Sequence, residues 1–501
     1  MALFAMAFAQ ASAPAAAETW TITPSLATTL TATNNVDLAP SSSRQADLVA
    51  EISPSIQVNG TGARANIAGQ VSVPVVLYAR TGGENNKVYP SGRLLGNLEL
   101  IDQFFFVEGE VSVTQQFFDP FGSQPPDLAN ATDNRYRTSA YRVSAWVQGT
   151  TPGYNVAYKL RNNNVWTNLS GAPIATDNAH YIQWLADASN ANPAKFGWSA
   201  HGESMEIRFN DQRPIEMRLV RLKPIYSPDP DLQLWLNAGY EDNQFTLTEN
   251  DGPIYGAGFE WRPTPRTRVF GNYEHRFFGD SYQFTFDHRT ALSIWNVSAT
   301  RGITSYPQQI ATIPAGVSVA GVFDGLFLSR FADPIERQRA VDEFISDRGL
   351  PSVLSSPVAL YTQQILLQDV ATATAGLIGA RNSVVFTVFY VRSEPIAGSG
   401  NPLPPQYAAG NDNTQTGASA AWSLRVTPSV SLTAIVQGTH TESNDTQDWS
   451  TRQGSARFVV SSPLSARTTA FAGARYQVFR SDISPDYDEA AVFIGLNHMF
   501  R

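Results

Sequence analysis

The sequence predicts an all-β chain that forms a single transmembrane, antiparallel, up-and-down β-barrel. Three observations favour this fold class. Only 16% of the residues are charged, against roughly 25% in soluble domains, although mean hydropathy is slightly negative. Segments of about ten residues with alternating apolar and polar side chains follow one another along the chain, and this length spans a membrane as a tilted barrel strand. The chain also ends inside such a segment.

The final segment, residues 490–500, shows the clearest alternation. Val492, Ile494 and Leu496 lie on one face of the expected strand, and Phe493 lies on the other. A soluble edge strand would explain this segment in isolation. In a barrel, however, the last strand pairs with the first, which removes the exposed edge. We therefore expect residues 490–500 to be hydrogen-bonded to a first strand that begins at about Trp20.

The connections between the segments form two classes that alternate along the chain. Short turns contain Pro, Gly or Asn, which favour turns, or are polar; they lie at 59–62, 151–153, 227–230, 262–265, 287–289, 380–382, 427–429 and 462–464. The other connections are longer on average and lie at 34–44, 81–91, 119–137, 163–178, 304–369, 395–413, 443–448 and 481–488. Short periplasmic turns alternating with long outer loops are typical of the bacterial outer membrane. We expect about 22 strands, within a range of 18 to 24, and both termini in the periplasm.

The domain organisation follows from these segments. Residues 1–17 are interpreted as the remnant of a signal peptide, and residues 18–501 as the barrel. The insert 304–369 contains a predicted helix over 334–348, with Asp333 as the N-cap and Pro334 at the first helical position. We expect the insert to enter the lumen or to cap the mouth. A surface excursion without a role in transport is the alternative.

Composition limits the classes of function. The chain has no Cys, which excludes disulfide bonds and a lipoprotein anchor. Its net charge of −9 argues against nucleic acid as a partner. No apolar run reaches the roughly 18 residues of a transmembrane helix, and no repeat of the kind found in a β-propeller is present. We expect no cofactor and no metal, and as partners outer-membrane lipid, lipopolysaccharide and the barrel-assembly machinery.

Candidate lumen residues are those opposite the apolar face of each strand. A charge on the lipid face would cost roughly 2–4 kcal/mol near the midplane, so charged residues are expected to face inward. The candidates for a substrate path are Arg142, Trp146, Glu206, Arg208, Glu216, Arg218, Trp235, Glu241, Glu260, Glu274, Arg276, Arg425, Arg457 and Arg475. Carboxylates, guanidiniums and aromatic rings together suit a hydrated and acidic saccharide. Bracing and hydration of the wall is the alternative role.

Catalytic patterns are weak, so we expect no enzyme. The six His residues do not form the spacing of a zinc site or of a nucleophile and its base. Asp287 and His288 fall on a predicted periplasmic turn, and His275 alternates with Glu274, so that it points toward lipid.

Four segments carry a resemblance to a known family. They are residues 24–40, which begin Pro-Ser-Leu-Ala-Thr-Thr-Leu; residues 113–122, which contain Gln-Gln-Phe-Phe-Asp-Pro-Phe-Gly; residues 379–390; and residues 487–500. In this order they resemble the uncharacterised outer-membrane β-barrel proteins associated with the PEP-CTERM and exopolysaccharide systems of Gram-negative bacteria. The resemblance covers most of the mature chain. The chain departs from the family at Arg501, which follows the terminal Phe500, and in its incomplete N-terminal signal.

The resemblance implies a barrel linked with exopolysaccharide production or export, with polysaccharide and periplasmic export components as partners. The family has no established catalytic residues. Because strand 1 is expected at about Trp20, the sequence has no room for an N-terminal plug domain, which argues against a TonB-dependent transporter. We expect a porin-like conduit for exopolysaccharide or a related saccharide. A structural or docking barrel of a secretion system is the first alternative, and an outer-membrane hydrolase is the second.

Overall fold

The structure is a computed structural model dominated by antiparallel strands. It describes residues 19–151, 153–171, 178–190, 195–209, 213–245, 248–312, 319–327, 337, 340–341, 344–345, 350, 354, 357–359, 362, 364–398, 412–445 and 448–500. The signal-peptide remnant predicted over 1–17 lies outside these residues. The strands are β1 (Thr19–Thr33), β2 (Asp47–Thr61), β3 (Ala65–Ser72), β4 (Val75–Tyr78), β5 (Lys87–Val88), β6 (Ser91–Ile101), β7 (Phe105–Phe117), β8 (Arg135–Thr151), β9 (Val156–Ser170), β10 (Ala179–Asn190), β11 (Phe196–Phe209), β12 (Ile215–Asp229), β13 (Leu232–Phe245), β14 (Thr248–Thr264), β15 (Thr267–Arg276), β16 (Gly279–Arg289), β17 (Ser293–Thr304), β18 (Gln364–Ile378), β19 (Asn382–Gly398), β20 (Asn413–Thr427), β21 (Val430–Ser443), β22 (Ser450–Ser465), β23 (Thr468–Ser481) and β24 (Tyr487–Met499).

These strands form one closed barrel. Each barrel strand pairs with the next in antiparallel fashion, and β24 pairs with β1, with Leu30 opposite Ile494. Both β3 and β4 pair with β2, while β6 pairs with β3 and β5 with β4. The segments β3 and β4 are therefore one interrupted strand, as are β5 and β6, and the described residues form a ring of 22 strands. The predicted fold class and the pairing of the last strand with the first are confirmed.

The two faces of the wall differ in polarity. On β24, Val492 and Ile494 are each 60% exposed, whereas Ala491 and Phe493 are 4% and 6% exposed. Residues paired across strands share a face, so this assignment extends around the ring through the register. The outer face carries exposed Leu, Val, Ile, Trp and Tyr side chains, which suit contact with lipid. The core of the protein is therefore the lumen, where the buried side chains lie.

The two ends of the barrel also differ. The turn end carries the start of β1 and the end of β24, and its connections are short, such as 265–266 and 466–467. In the turn between β8 and β9, Gly153 has a φ of 84° and Asn155 a φ of 53°, and these residue types tolerate this left-handed region best. The loop end carries the long connections, including 34–46, 118–134 and 305–363. The alternation of short and longer connections is therefore present.

Several predicted boundaries were wrong. The turn predicted at 462–464 lies inside β22, and the turn follows at 466–467. Residues 163–170 belong to β9 rather than to a loop, because they pair with β8 along their length. Asp287 and His288 lie in β16, paired with β15, and the turn follows at 290–292. The insert begins at 305 and ends at 363, since the pairing of β17 with β18 reaches Thr304 opposite Leu366.

The insert contains helical structure, as expected. Two helices, α2 (Tyr306–Thr312) and α3 (Val319–Phe327), were not predicted. Of the helix predicted over 334–348, the described positions 337, 340–341 and 344–345 are helical, and the others lie outside the described residues. A short helix α1 (Gly82–Asn85) lies in the connection between β4 and β5. No described helix has both the length and the apolar character needed to cross a membrane.

Barrel closure can be tested with paired cysteines, since the chain has no Cys of its own. Leu30→Cys with Ile494→Cys should form a disulfide on oxidation, because directly opposed Cβ atoms lie about 4.5–5.5 Å apart and a disulfide needs about 3.5–4.5 Å. Leu30→Cys with Leu496→Cys is the control, because diagonal positions are about 7–8 Å apart. Gel mobility of a protease-cleaved sample reports the crosslink. Crosslinking of the diagonal pair alone would contradict the register.

Candidate functional site in the barrel lumen

The structure places ten of the fourteen candidate residues on the inner face. They are Arg142, Trp146, Trp235, Glu241, Glu260, Glu274, Arg276, Arg425, Arg457 and Arg475, as the strand register and the exposed outer neighbours show. Several are strongly buried: Glu241 is 1% and Arg475 3% exposed. Most of them fall into three groups on different parts of the wall.

The other four candidates lie on the outer face, so this part of the prediction was wrong. Glu206 and Glu216 are paired opposite each other near the loop end, on the face of the exposed Trp184 and Val220. Glu206 binds Arg208 at 2.6 Å and Glu216 binds Arg218 at 2.7 Å. The prediction used the cost of a charge at the membrane midplane. At the rim of the membrane this cost falls to about 0–1 kcal/mol, so the outer face tolerates these pairs.

The residues next to these ion pairs on the inner face are apolar, because other parts of the protein cover them. Tyr181, Met205, Ile207 and Met217 form a buried cluster on β10–β12 that packs against Ile365 at the start of β18. Gln308 of α2 donates a hydrogen bond to the sulfur of Met205 at 3.1 Å. The lumen is therefore closed by protein at this level, and apolar side chains face inward as they do in a soluble core.

The insert packs against the inner wall at both ends of the barrel. At the loop end, the hydroxyl of Tyr306 in α2 lies 3.2 Å from that of Thr138 on β8. At the turn end, Val319 and Phe323 of α3 pack with Ile294 and Val385, which lie on inner positions near the starts of β17 and β19. The described part of the insert therefore occupies the lumen, and the alternative of a surface excursion was wrong.

The α3 helix approaches the wall closely at a glycine. A Cβ atom built on Gly325 would lie 2.2 Å from Cδ1 of Ile294. Phe323 also packs edge-on against Phe344, with ring centroids 4.9 Å apart, and Arg337 binds Asp324 at 2.7 Å. The helical positions 340–341 and 344–345 thus pack with α3, and together they form one apolar cluster against the wall.

The first polar group lies on β7–β9. Glu108 of β7 binds Arg142 at 2.9 Å and Arg161 at 3.2 Å. The guanidinium of Arg161 lies 5.0 Å and the amine of Lys159 5.3 Å from the centre of the Trp146 ring, within range of a cation–π interaction.

The second group lies on β12–β15. The buried Glu241 accepts hydrogen bonds from Arg276 at 2.6 Å and from the backbone N–H of Phe277 at 2.9 Å. Arg221 binds Glu274 at 2.9 Å. Near the turn end, Glu260 accepts from Arg268 at 3.2 Å. These opposite charges connect β15 to β12, β13 and β14, which fits the bracing role left open by the sequence.

The third group joins the loop 118–134 to the wall formed by β22–β24 and β1. The buried Arg475 donates to Glu489 at 2.7 Å and to Asn130 at 2.9 Å, and it also binds Asp127. Glu489 accepts a further hydrogen bond from Thr33 of β1 at 2.6 Å. The loop 118–134, which connects β7 and β8, therefore folds into the lumen. Charged hydrogen bonds hold it to β23 and, through Arg475, to β24, and both strands lie across the β1–β24 seam from β7 and β8.

The described residues enclose two cavities on the inner side of the wall. One, of about 330 Å³, lies between the loop 118–134, residues 357–359 of the insert and the wall of β21–β23, and it is lined by Gln115, Gln116, Gln124, Gln437, Gln453 and Gln477. The other, of about 870 Å³, opens near the turn end of β7–β12. The polar lining of the first cavity consists mainly of neutral amides, whereas the second carries the charged side chains of Lys159, Asp187, Arg221 and Lys223.

Some lumen residues were missed from the sequence. The spacing of Glu108 and Glu110 on β7 matches the strand period, so this signal was available. Asp127 and Asn130 had none, because a loop residue reaches the wall only through the tertiary fold. His275 lies on the outer face as expected, 3.4 Å from Asp280. Among the described residues, no group of three or more His, Asp or Glu side chains is arranged to hold a metal ion.

Comparisons with known proteins give no family. No family model matches the chain, and no curated protein matches it either. The FrpB iron transporter from Neisseria meningitidis is similar with a TM-score of 0.49, 8% identity, and coverage of 95% of this chain and 81% of that chain. A mutant of the ferric enterobactin receptor PfeA from Pseudomonas aeruginosa gives 0.47, 9%, 95% and 80%. The outer membrane protein OpdK from Pseudomonas aeruginosa gives 0.34, 7%, 96% and 99%.

The geometry itself defines the class of protein. A closed antiparallel barrel satisfies its backbone hydrogen bonds without an edge, which is one of two ways to cross a bilayer. An even number of strands, short turns at one end, longer loops at the other and an apolar outer belt are the properties of bacterial outer-membrane barrels. The chain is therefore an outer-membrane β-barrel with an internally folded insert.

The attachment of the loop 118–134 has a pH dependence that can be measured. Burial opposes ionisation of Asp127, but the guanidiniums of Arg475 and Arg457 outweigh it and lower the pKa of this carboxyl. A lowered pKa in the folded state stabilises the protein above the ordinary value of about 3.9, and this stabilisation is lost as pH falls through the lowered pKa. Asp127→Asn should cost about 2 kcal/mol at pH 7 and less at pH 2, because protonation of Asp127 weakens the ion pairs in the unmodified protein.

Thermal unfolding in detergent at both pH values measures this difference. Asp119→Asn is the matched control in the same loop, because burial raises the pKa of Asp119, whose carboxylate accepts only from the backbone N–H of Phe121 among the contacts described. This control should not reproduce the loss at pH 7. An Asp127→Asn effect of equal size at pH 7 and pH 2 would contradict an ionic attachment of the loop.

Proposed function

We propose that the protein is a gated outer-membrane conduit for a saccharide, working in exopolysaccharide export. The observation that carries the proposal is an inner wall rich in charged and amide side chains that an inward-folded insert covers in part. A barrel that served only as a structural anchor would need neither a polar inner wall nor an insert that covers this wall. The turn end, which carries the start of β1 and the end of β24, faces the periplasm in this proposal.

The chemistry of the inner wall supports a sugar as the solute. Sugar hydroxyls need partners that both donate and accept, and side-chain amides provide both. The six glutamines around the 330 Å³ cavity form such a surface. Polysaccharide and periplasmic export components are the partners that this role implies, together with the lipid and lipopolysaccharide around the barrel.

The insert acts as the gate in this proposal. Barrels of 22 strands are wide enough to leak, and known examples are plugged. Here α2 and α3 lie against opposite parts of the wall, and the loop 118–134 fills the space beside β22–β24. Passage of a polymer requires at least one of these segments to move away from the wall.

Single-channel conductance of the purified protein in planar bilayers tests the gate. Replacement of residues 307–361 by a short Gly-Ser linker should raise conductance several-fold, because the linker cannot fill the lumen. Gly325→Val should also increase the open probability, since the added side chain would overlap Ile294 and push α3 from the wall.

Gly302→Val is the matched control, because a Cβ atom at Gly302 meets nothing within 4 Å. This variant should conduct like the unmodified protein. If the insert replacement folds, as shown by its circular dichroism, and conductance stays unchanged, the gated conduit is wrong. A structural or docking barrel would then be the better description.

A further inference from the structure

The larger cavity forms a vestibule at the turn end of the lumen. It has a volume of about 870 Å³ and lies on the inner side of β7–β12. This size is in the range of small-molecule pockets, roughly 300–1,000 Å³. Nearer the loop end the same strands carry the apolar cluster with Tyr181, Ile207 and Met217, which packs against Ile365. On this side of the lumen the vestibule is therefore a recess with its entrance at the turn end.

One row of side chains crosses the vestibule wall. Lys159, Asp187, His201 and Arg221 are direct cross-strand partners on β9, β10, β11 and β12. Neighbours in such a row have Cβ atoms about 4.5–5.5 Å apart. The central carboxylate of Asp187 accepts from His201 at 2.7 Å, so the acid in this row is already engaged.

Two amines in the vestibule remain without an acid partner. Lys159 and Lys223 line the cavity, and neither forms an ion pair in the described part of the chain. Glu274, whose charge acts on Lys223, is itself bound to Arg221 at 2.9 Å. The lining thus carries the basic side chains Lys159, Arg221 and Lys223 against the one carboxylate of Asp187, and the two lysines form no ion pair among the described residues.

The distribution of lysine in the chain supports this assignment. The sequence contains four lysines, and Lys159, Lys195 and Lys223 lie at the turn end of β9–β12. The inner wall elsewhere uses arginine in braced ion pairs. A lysine amine is a strongly hydrated point charge on a flexible stem, which suits reversible contact with a moving anion better than rigid bracing does.

The surroundings of the amines indicate the kind of anion. Phe106 and Gln148 line the same cavity with the hydroxyls of Ser189 and Ser199. The Phe106 ring is stacked on Trp146, with centroids 5.2 Å apart, so its orientation is held. An aromatic ring with amide and hydroxyl groups suits the ring and hydroxyls of a sugar, and the amines suit carboxylates.

We propose that the vestibule is a binding site for an acidic oligosaccharide that enters from the turn end, with Lys159 and Lys223 each holding one carboxylate. Their strands are three spacings apart, about 14 Å, which fits carboxylates on different rings of one oligomer. The proposal deepens the conduit function above, because it names the substrate class of the same lumen and a site of first contact.

Equilibrium binding to the full-length protein in detergent tests this site, and it needs no conduction. Trigalacturonate and maltotriose are titrated by calorimetry, and inorganic phosphate is titrated as a simple anion. We expect trigalacturonate to bind, maltotriose to bind at least tenfold more weakly, and phosphate not to reproduce trigalacturonate binding. Lys159→Gln with Lys223→Gln should weaken trigalacturonate binding at least tenfold, and Lys159→Arg should keep most of it.

Lys87→Gln is the matched control, because Lys87 is the remaining lysine and lies at the loop end on β5. Its affinity for trigalacturonate should equal that of the unmodified protein. Equal loss in the Lys87 variant, no loss in the double variant, or equal binding of phosphate and trigalacturonate would overturn the proposal. Binding is measured in detergent and conductance in a bilayer, so the two tests can fail separately. A failed conductance test would leave the binding result interpretable, and a failed binding test would leave the conductance result interpretable.

Discussion

The pairing of β24 with β1 is the constraint on which the rest of the structure depends. Inside a bilayer every backbone N–H and C=O group needs a partner within the protein, and closure provides one for the first and last strands. Leu30 opposite Ile494 fixes the register of this seam. Closure also separates an outer face, which contacts lipid, from an inner face, which contacts water and the insert. The charged side chains of the inner face are kept away from lipid only because the barrel is closed.

A closed ring of 22 strands encloses more space than side chains from the wall can fill. The chain fills part of it with its own loops. Arg475 shows how the two are joined: it binds Glu489 on the wall and Asp127 and Asn130 on the loop. Removing one partner of such a buried group leaves an unpaired charge, which is more costly than the pair itself contributes. The loop is therefore attached firmly, whereas α3 is attached mainly by apolar packing.

Strand alternation was enough to predict the fold class, the strand number and the closure, because lipid imposes one rule on every strand. The same rule failed at Glu206, Arg208, Glu216 and Arg218. The alternation rule assumes that water lies inside and lipid outside along the whole strand. These four residues lie at the rim of the membrane, and their neighbours on the inner face pack against Ile365 instead of facing water. The helices α2 and α3 and the inward loop could not be predicted from periodicity, since their positions depend on contacts made across the lumen.

Cysteine accessibility along one strand tests the division into two faces most directly. Single cysteines at positions 199–204 of β11, in liposomes, are exposed to a membrane-impermeant thiol reagent. We expect reaction at 199 and 201, which line the vestibule, and at 203 on the same inner face, and protection at 200, 202 and 204, which lie on the outer face. Uniform reaction along the segment, or reaction only at 200, 202 and 204, would contradict the barrel as described.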